Sequence, residues 1–149
     1  MTDAADFVTE SAAATRELGA RLGRTLRGGE GVALDGPLGA GKTEFTKGLA
    51  IGVGVSTDEV IVSPTFVLIR EYPGRLNLIH LDLYRLSGAE ELETLGFSEI
   101  AGDPANVLVV EWAARIPEIR ELLLWRVRID YRELTTRNIR VEGPRELLA

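Results

Sequence analysis

One glycine-rich segment of the chain has the sequence Gly36-Pro37-Leu38-Gly39-Ala40-Gly41-Lys42-Thr43. It matches the pattern G-x-x-x-x-G-K-[ST] at every fixed position. A short apolar run over Gly31–Asp35 precedes it, and a helical pattern follows from Lys42 to about Val53. Glycines let backbone N–H groups turn around a phosphate, and the helix adds the positive end of its dipole. The segment therefore predicts a strand, a phosphate-binding loop and a helix, in that order.

Two side chains of this loop have a specific chemistry. Lys42 supplies a point charge for β- and γ-phosphates, and the Thr43 hydroxyl suits Mg²⁺. A glycine turn before an amphipathic helix could match the pattern by chance. The strand before the loop and the helix after it favour the phosphate loop over that interpretation.

Composition limits the class of protein. The 149 residues are the size of one domain, so a single domain over 1–149 is predicted. There are 17 Lys and Arg against 23 Asp and Glu, a net charge of −6, which argues against a protein that coats nucleic acid by itself. The absence of Cys and the single His argue against disulfides and structural zinc. Without a membrane-length apolar run or a signal pattern at the N-terminus, we expect a soluble cytoplasmic protein.

The remaining elements follow from local patterns. A helix is predicted over Glu10–Arg27 from leucines spaced four residues apart, with Thr9 or Ser11 as its cap. A capping box, Ser87-Gly88-Ala89-Glu90, predicts a short helix through Leu95, and one more helical turn is expected over Phe97–Ala101. Residues 113–122 are mixed in character, with Pro117 near a helix start.

Strands are predicted on both sides of these helices. The segment Ser63–Tyr72 should begin as a loop and become a strand that forms a hairpin-like pair with Leu76–Asp82. The four apolar residues Val107–Val110 indicate a buried strand. From Trp125 onwards apolar and polar residues alternate, which predicts a strand with one face exposed to solvent. Residues 139–141 continue the alternation after a turn and are predicted to pair with it as an antiparallel strand. Together these elements predict an α/β fold of the P-loop NTPase type. Its layered sheet should have a mainly parallel core, antiparallel edge strands and helices on both faces.

Two acids are candidates for the metal side of a phosphate site, which needs a carboxylate at the end of a neighbouring strand. Glu111 follows the apolar run Val107–Val110, and Asp82 follows the more polar strand before it. The carboxyl ends of parallel strands face the ligand crevice, so both could reach a metal. Either acid could instead cap the segment that follows it.

Three further features leave alternatives open. His80 is interpreted as a core or hinge histidine in preference to a catalytic one. The loop Ser63–Phe66 could bring a hydroxyl to Mg²⁺ or the γ-phosphate, or be a proline turn entering a strand. Trp112 is either a core anchor or a contact to nucleotide or partner. A guanine-specific N-K-x-D sequence is absent, which favours adenine.

Four motifs in this order and spacing resemble the TsaE family, also called YjeE: the loop GPLGAGKT at 36–43, Ser63-Pro64-Thr65-Phe66, His80-Leu81-Asp82-Leu83-Tyr84-Arg85, and Glu111-Trp112. The resemblance implies a small bacterial ATPase required to form threonylcarbamoyladenosine in tRNA. It implies that the ATP-bound protein docks on the TsaB–TsaD heterodimer and that hydrolysis resets this complex between rounds. It further implies that tRNA is reached only through the complex.

The resemblance also assigns roles to residues. It gives catalysis to Lys42, Asp82, Glu111 and Thr65, and Mg²⁺ binding to Thr43, Glu111 and Asp82. It gives ATP binding to Gly36, Leu38, Gly39, Ala40, Gly41, Lys42, Thr43, Thr15 and Trp112, and at Arg137 it implies a contact to the nucleotide or to a partner. Pro37 stands where the family often has an acidic or polar residue, but the loop binds through its backbone, so the site is not weakened.

Two other functions use the same loop. A small-molecule kinase needs an acceptor pocket and usually an arginine-bearing lid. The stretch between Phe97 and Val107 is short and has no Arg, which disfavours that alternative. A nucleotide-binding adaptor without turnover is the other.

Overall fold

The computed structural model describes residues 3–57, 61 and 69–148 of the chain. Within these residues the strands are β1 Asp3–Thr9, β2 Gly31–Asp35, β3 Ile69–Tyr72, β4 Asn77–Asp82, β5 Asn106–Glu111, β6 Trp125–Tyr131 and β7 Arg137–Gly143. The helices are α1 Ala12–Thr25, α2 Lys42–Gly52, α3 Ala89–Thr94 and α4 Phe97–Gly102, with short 3₁₀ helices at Ala113–Arg115 and Pro117–Leu122.

All seven of these strands form one sheet, in the order β1-β7-β6-β2-β5-β4-β3. The four central strands, β6, β2, β5 and β4, are parallel to one another. At the two edges β3 pairs antiparallel with β4, and β7 and β1 continue antiparallel from β6. The predicted parallel core with antiparallel edge strands is therefore confirmed.

Helices cover both faces of the sheet, as predicted. Along β5, Val107 and Val109 pack in the cluster that contains the leucines of α1 and α2. Leu108 and Val110 pack on the opposite side, in the cluster that contains residues of α3, α4 and the 3₁₀ helices. Successive residues of a strand point to opposite faces, so a continuous apolar run is what a strand covered on both faces requires.

Helices α1 and α2 cross with their backbones in contact. A Cβ on Gly48 would lie 2.0 Å from the carbonyl oxygen of Arg16, and one on Gly19 would lie 2.3 Å from that of Phe45. Gly23 and Gly52 are equally enclosed. This close approach lets Arg16 form an ion pair with Glu44, 2.6 Å away in the first turn of α2.

Strand β1 was missed by the sequence interpretation. Its segment, DAADFVT, has no regular alternation of apolar residues, and only Thr9 is buried. It is held as an edge strand by its pairing with β7. Because β1 extends to Thr9, α1 begins at Ala12 rather than Glu10, with the Ser11 hydroxyl accepting from the N–H of Ala14.

The predicted capping box at Ser87–Glu90 is wrong in its details. The residue before α3 is Gly88, and Ser87 donates from its N–H and its hydroxyl to the carboxylate of Glu91, not Glu90. The helix starts one residue later than the box requires, so the carboxylate that accepts from Ser87 is also one residue later.

Among the helices of the described residues, none combines the length and the apolar character that a membrane span requires.

Candidate functional site

The glycine-rich loop lies between β2 and the start of α2, as its sequence predicts. Gly39 and Gly41 have φ angles of 78° and 111°, a left-handed conformation in which a side chain would be strained. The N–H of Ala40 donates to the carbonyl of Pro37 at 3.1 Å, which closes the turn. Helix α2 has no side-chain cap at Gly41. The N-terminal N–H groups of α2 and the positive end of its dipole therefore face the loop.

The outer side of the loop is attached to the β6–β7 hairpin. The Tyr131 hydroxyl donates to the carbonyl of Leu38 at 2.7 Å, and Arg137 Nε donates to the carbonyl of Ala40 at 2.9 Å. The Arg137 guanidinium lies 4.6 Å from the centre of the Tyr131 ring. The hairpin thus fixes two peptide groups of the loop.

Glu111, at the end of β5, faces the loop lysine. One carboxylate oxygen is 3.4 Å from Lys42 Nζ, and the other is 2.7 Å from Nε2 of His80. Burial, the largest single influence, raises the pKa of Glu111, but the hydrogen bond and charge of His80 and the Lys42 ammonium together bring it below its ordinary value. Glu111 is therefore an ionised carboxylate beside the phosphate loop.

His80 is buried, as the core interpretation expects, but it also belongs to this site. It is 1% exposed, and among the described residues its Nδ1 has no hydrogen-bond partner. Because its Nε2 faces an ionised carboxylate, Nε2 donates the proton. The sequence carried a usable signal: strand alternation places His80 and Asp82 on one face of β4, the face on which Glu111 lies in β5.

Asp82 ends β4 directly opposite Glu111 in the sheet register. One of its oxygens accepts the N–H of Tyr84 at 2.9 Å, so Asp82 also closes the turn after the strand. The two candidate acids thus end neighbouring parallel strands at one edge of the sheet. The glycine-rich loop follows the carboxyl end of β2, so it lies at this same end of the parallel strands.

Trp112 is not a core anchor. It is 48% exposed and has a φ of 60°, and its ring centre lies 4.8 Å from that of Tyr84. A cavity of about 230 Å³ separates it from the loop, and Lys42 and Arg128 line the same space. Trp112 therefore lies at the solvent-exposed rim of the site, across a cavity from the loop.

A second cavity, of about 420 Å³, lies on the other side of the loop. Thr15, Arg137 and Leu134 line it together with Gly39 and Gly41. The Thr15 hydroxyl is 2.7 Å from that of Thr9, so its position is fixed. Thr15 and Arg137, far apart in sequence, are brought to the same cavity.

Of the two predicted threonines, the described residues include Thr43 but not Thr65. Thr43 follows Lys42 in the first turn of α2 and is half-buried. Thr65 and the loop Ser63–Phe66 lie outside the described residues. Within the described ranges no group of three or more His, Asp or Glu side chains could hold a metal by itself. A cation at this site would share its coordination between few protein oxygens and phosphate oxygens, as Mg²⁺ commonly does.

Comparison with known proteins identifies the family. A sequence model described as "Threonylcarbamoyl adenosine biosynthesis protein TsaE" matches residues 9–139. The chain belongs to the TsaE family. The match covers the loop, both candidate acids and Arg137, so the predicted resemblance is confirmed.

Individual relatives agree with the TsaE family model. A protein from Treponema pallidum named tRNA threonylcarbamoyladenosine biosynthesis protein TsaE is 43% identical over 131 residues, 88% of this chain and 93% of its own. One of the same name from Streptomyces coelicolor is 46% identical, covering 77% of this chain and 78% of its own. The crystal structure of Bacillus subtilis YdiB superposes with a TM-score of 0.76 at 30% identity, over 96% of this chain and 87% of that one. These matches confirm the family and the fold.

Proposed function

We propose that this chain is a Mg²⁺-dependent ATPase that serves threonylcarbamoyladenosine modification of tRNA by acting on the TsaB–TsaD heterodimer, which it allows to turn over repeatedly. Membership of the TsaE family supports the pathway. The observation that carries the ATPase proposal is the contact of Lys42 in the phosphate loop with Glu111 at 3.4 Å. An ionised acid beside the lysine to which we assign phosphate binding supports a hydrolytic site.

Nucleotide binding would use the backbone first. The loop N–H groups and the N-terminus of α2 hold the phosphates, and Lys42 adds a charge that is largely enclosed. The cavity lined by Thr15 and Arg137 adjoins Gly39 and Gly41, and its volume of about 420 Å³ suits a nucleoside. We assign that cavity to the adenosine part of ATP.

The donor atoms near the loop fit Mg²⁺. The Glu111 carboxylate is ionised, Asp82 is its register neighbour and the Thr43 hydroxyl follows Lys42 in α2. Hard oxygen donors of this kind are the ligands that Mg²⁺ takes. Bound there with ATP, the ion would neutralise charge on the phosphates.

The two acids have different surroundings, which suggests different tasks. Glu111 is held between His80 and Lys42, so we place it nearer the metal. Asp82 is less buried, and one of its oxygens accepts the Tyr84 N–H; we give its other oxygen the task of orienting a water for attack on the γ-phosphate. Thr65 is assigned to the same hydrolytic step by the family resemblance alone.

The charge distribution favours a protein partner over free tRNA. On the solvent-exposed side of β6, β7 and β1, Arg128 pairs with Asp130 and Arg140 pairs with Asp6, both at 2.9 Å. Paired arginines contribute little to binding phosphate along a nucleic acid. We therefore propose that the chain reaches tRNA only through TsaB–TsaD and by itself binds tRNA negligibly at physiological salt.

The test is capture of TsaB–TsaD by this chain, with and without ATP, together with ATP turnover in the presence of the heterodimer. We expect ATP to strengthen capture and the heterodimer to stimulate turnover. Lys42→Ala should lose nucleotide binding and both effects, while Lys47→Ala, five residues further along α2, should behave as wild type. Equal ATP affinity of Lys42→Ala and wild type contradicts the proposal. Turnover that depends on a small acceptor instead of the heterodimer would indicate a kinase.

A further inference from the structure

The β6–β7 hairpin holds the phosphate loop at alternate peptide groups. Tyr131 and Arg137 face each other at the end of the hairpin, where they pair in the strand register. Their hydrogen bonds go to the carbonyls of Leu38 and Ala40, at 2.7 and 2.9 Å. The carbonyl of the intervening residue, Gly39, is skipped by both.

Peptide geometry gives this spacing a consequence. In a planar trans peptide the C=O of one residue and the N–H of the next point in opposite directions. Holding the carbonyls of Leu38 and Ala40 on the hairpin side therefore directs the N–H groups of Gly39 and Gly41 to the other side. Phosphate bound by these two amides would lie on the side of the loop that faces away from the hairpin.

We propose that Tyr131 and Arg137 are positioning residues that aim the N–H groups of Gly39 and Gly41 at the phosphates of the bound nucleotide. This inference rests on the proposed nucleotide site and deepens it. It also adds to the part given to Arg137: besides lining the cavity assigned to adenosine, the side chain acts on the phosphates through the loop backbone. Tyr131 had no functional assignment from the sequence.

The end of the hairpin is held by several hydrogen bonds of its own, so it can act as a rigid support. The Arg137 guanidinium donates to the carbonyls of Glu133, Leu134 and Thr136 at 3.1, 3.2 and 3.1 Å, which fixes the turn between β6 and β7. A Cβ on Gly39 would lie 2.6 Å from the Tyr131 hydroxyl, so the loop packs directly on the tyrosine. Amide groups that are held in place before binding lose less freedom when the ligand arrives.

Tyr131→Phe is the decisive variant because it removes one hydroxyl, changes no charge and keeps the ring under Arg137. Arg137→Met removes the second contact, and Arg140→Met, three residues along β7, is its matched control. We would measure affinity for ADP and for inorganic pyrophosphate by calorimetry, and the ADP-induced shifts of the Gly39 and Gly41 amide signals by NMR. A role confined to fold stability would lower Tm without changing either readout in the folded protein.

We expect Tyr131→Phe to weaken both ADP and pyrophosphate about three- to tenfold, the effect of one lost hydrogen bond, and to reduce the ADP-induced shift of the Gly39 amide. Arg137→Met should weaken both ligands further, and Arg140→Met should match wild type. If Tyr131→Phe binds both ligands as wild type does while Lys42→Ala loses them, the positioning role is wrong and the nucleotide site stands. If wild type itself binds neither ligand, the proposed function fails, and this inference fails with it.

Discussion

Glu30 and Glu111 are equally buried, each 6% exposed, yet they lie at opposite ends of the sheet. Glu30 precedes β2, and Glu111 ends β5, the parallel neighbour of β2. Glu30 therefore belongs to the edge where parallel strands begin, and Glu111 to the edge where they end. In open parallel sheets only the second edge forms the ligand crevice.

The two glutamates differ in how their oxygens are used. Glu30 accepts from the N–H of Arg27, from Trp125 Nε1 at 2.9 Å and from Arg145 at 2.7 Å. Glu111 has His80 and Lys42, and Lys42 also belongs to the phosphate loop. A buried carboxylate whose oxygens all accept hydrogen bonds from structural donors stabilises the fold. A buried carboxylate that contacts the lysine of a ligand site can also act on the bound ligand. Burial alone does not tell these roles apart.

The largest effect is expected at Glu30. Glu30→Ala leaves the half-buried Arg145 guanidinium without its carboxylate and the buried Trp125 Nε1–H without its acceptor, and should cost about 3 kcal/mol of unfolding free energy. Chemical denaturation of Glu30→Ala, Arg145→Ala and the double variant would measure it. We expect the double variant to recover part of the loss, and the folded fraction of Glu30→Ala to keep its ATP turnover. A loss of turnover per folded molecule would end the contrast with Glu111.

Substitution of Glu111 should chiefly lower the rate of ATP hydrolysis. Glu111→Ala and Asp82→Ala should each lower ATP turnover with TsaB–TsaD by on the order of 100-fold or more, as for other positioned catalytic groups. Nucleotide binding should persist because Lys42 and the loop amides still hold the phosphates. Steady-state turnover and calorimetric ADP binding separate the two quantities. Near-normal turnover in either variant removes that acid from the catalytic residues.

The pH dependence of stability should also single out Glu111. Its pKa in the folded protein lies below the ordinary 4.5, so its ionised form stabilises the fold above that value. As pH falls through the lowered pKa this contribution disappears, and the stability of wild type relative to Glu111→Gln should decline. Urea unfolding of both proteins between about pH 3 and pH 7 would show it. A difference that stays constant or grows at low pH contradicts the direction given for this pKa.

The smallest effect concerns the backbone beside each glutamate. Before Glu30 the chain takes a positive φ of 73° at a glycine, Gly29, whereas after Glu111 it takes one of 60° at Trp112. Trp112→Gly should therefore be more stable than Trp112→Ala by about 1 kcal/mol, since both lose the ring and only Gly relieves the strain. Thermal unfolding of the pair tests this. If Ala is the more stable of the two, the backbone at 112 is not strained.

The sequence predicted the centre of the fold better than its margins. The loop, the apolar run of β5 and the alternation of β6 are local patterns, and each determined an element in the right order. Edge strand β1 has no such pattern and exists because β7 is there to pair with it. The ion pair of Glu30 with Arg145 joins residues 115 positions apart, which no local spacing indicates.

The candidate site shows the same limit. Lys42 and Glu111 were predicted separately from motifs, and their placement side by side follows from strands β2 and β5 being neighbours. His80 was assigned to the core because a lone histidine in mid-strand is more often a core residue, and its contact with Glu111 depends on β4 and β5 being neighbours. Tyr131 was seen as one position in an alternating strand, and its bond to Leu38 depends on how the hairpin meets the loop.

The crossing of α1 and α2 restricts how this protein can vary over evolutionary time. Gly19 and Gly48 face the backbone of the opposite helix at distances where even a methyl group has no space. A glycine can mutate only to something larger, so every substitution at these positions must push the helices apart. Because α2 carries Lys42, such a shift would be felt at the phosphate loop. Selection on ATP binding would therefore act on residues that never touch the nucleotide.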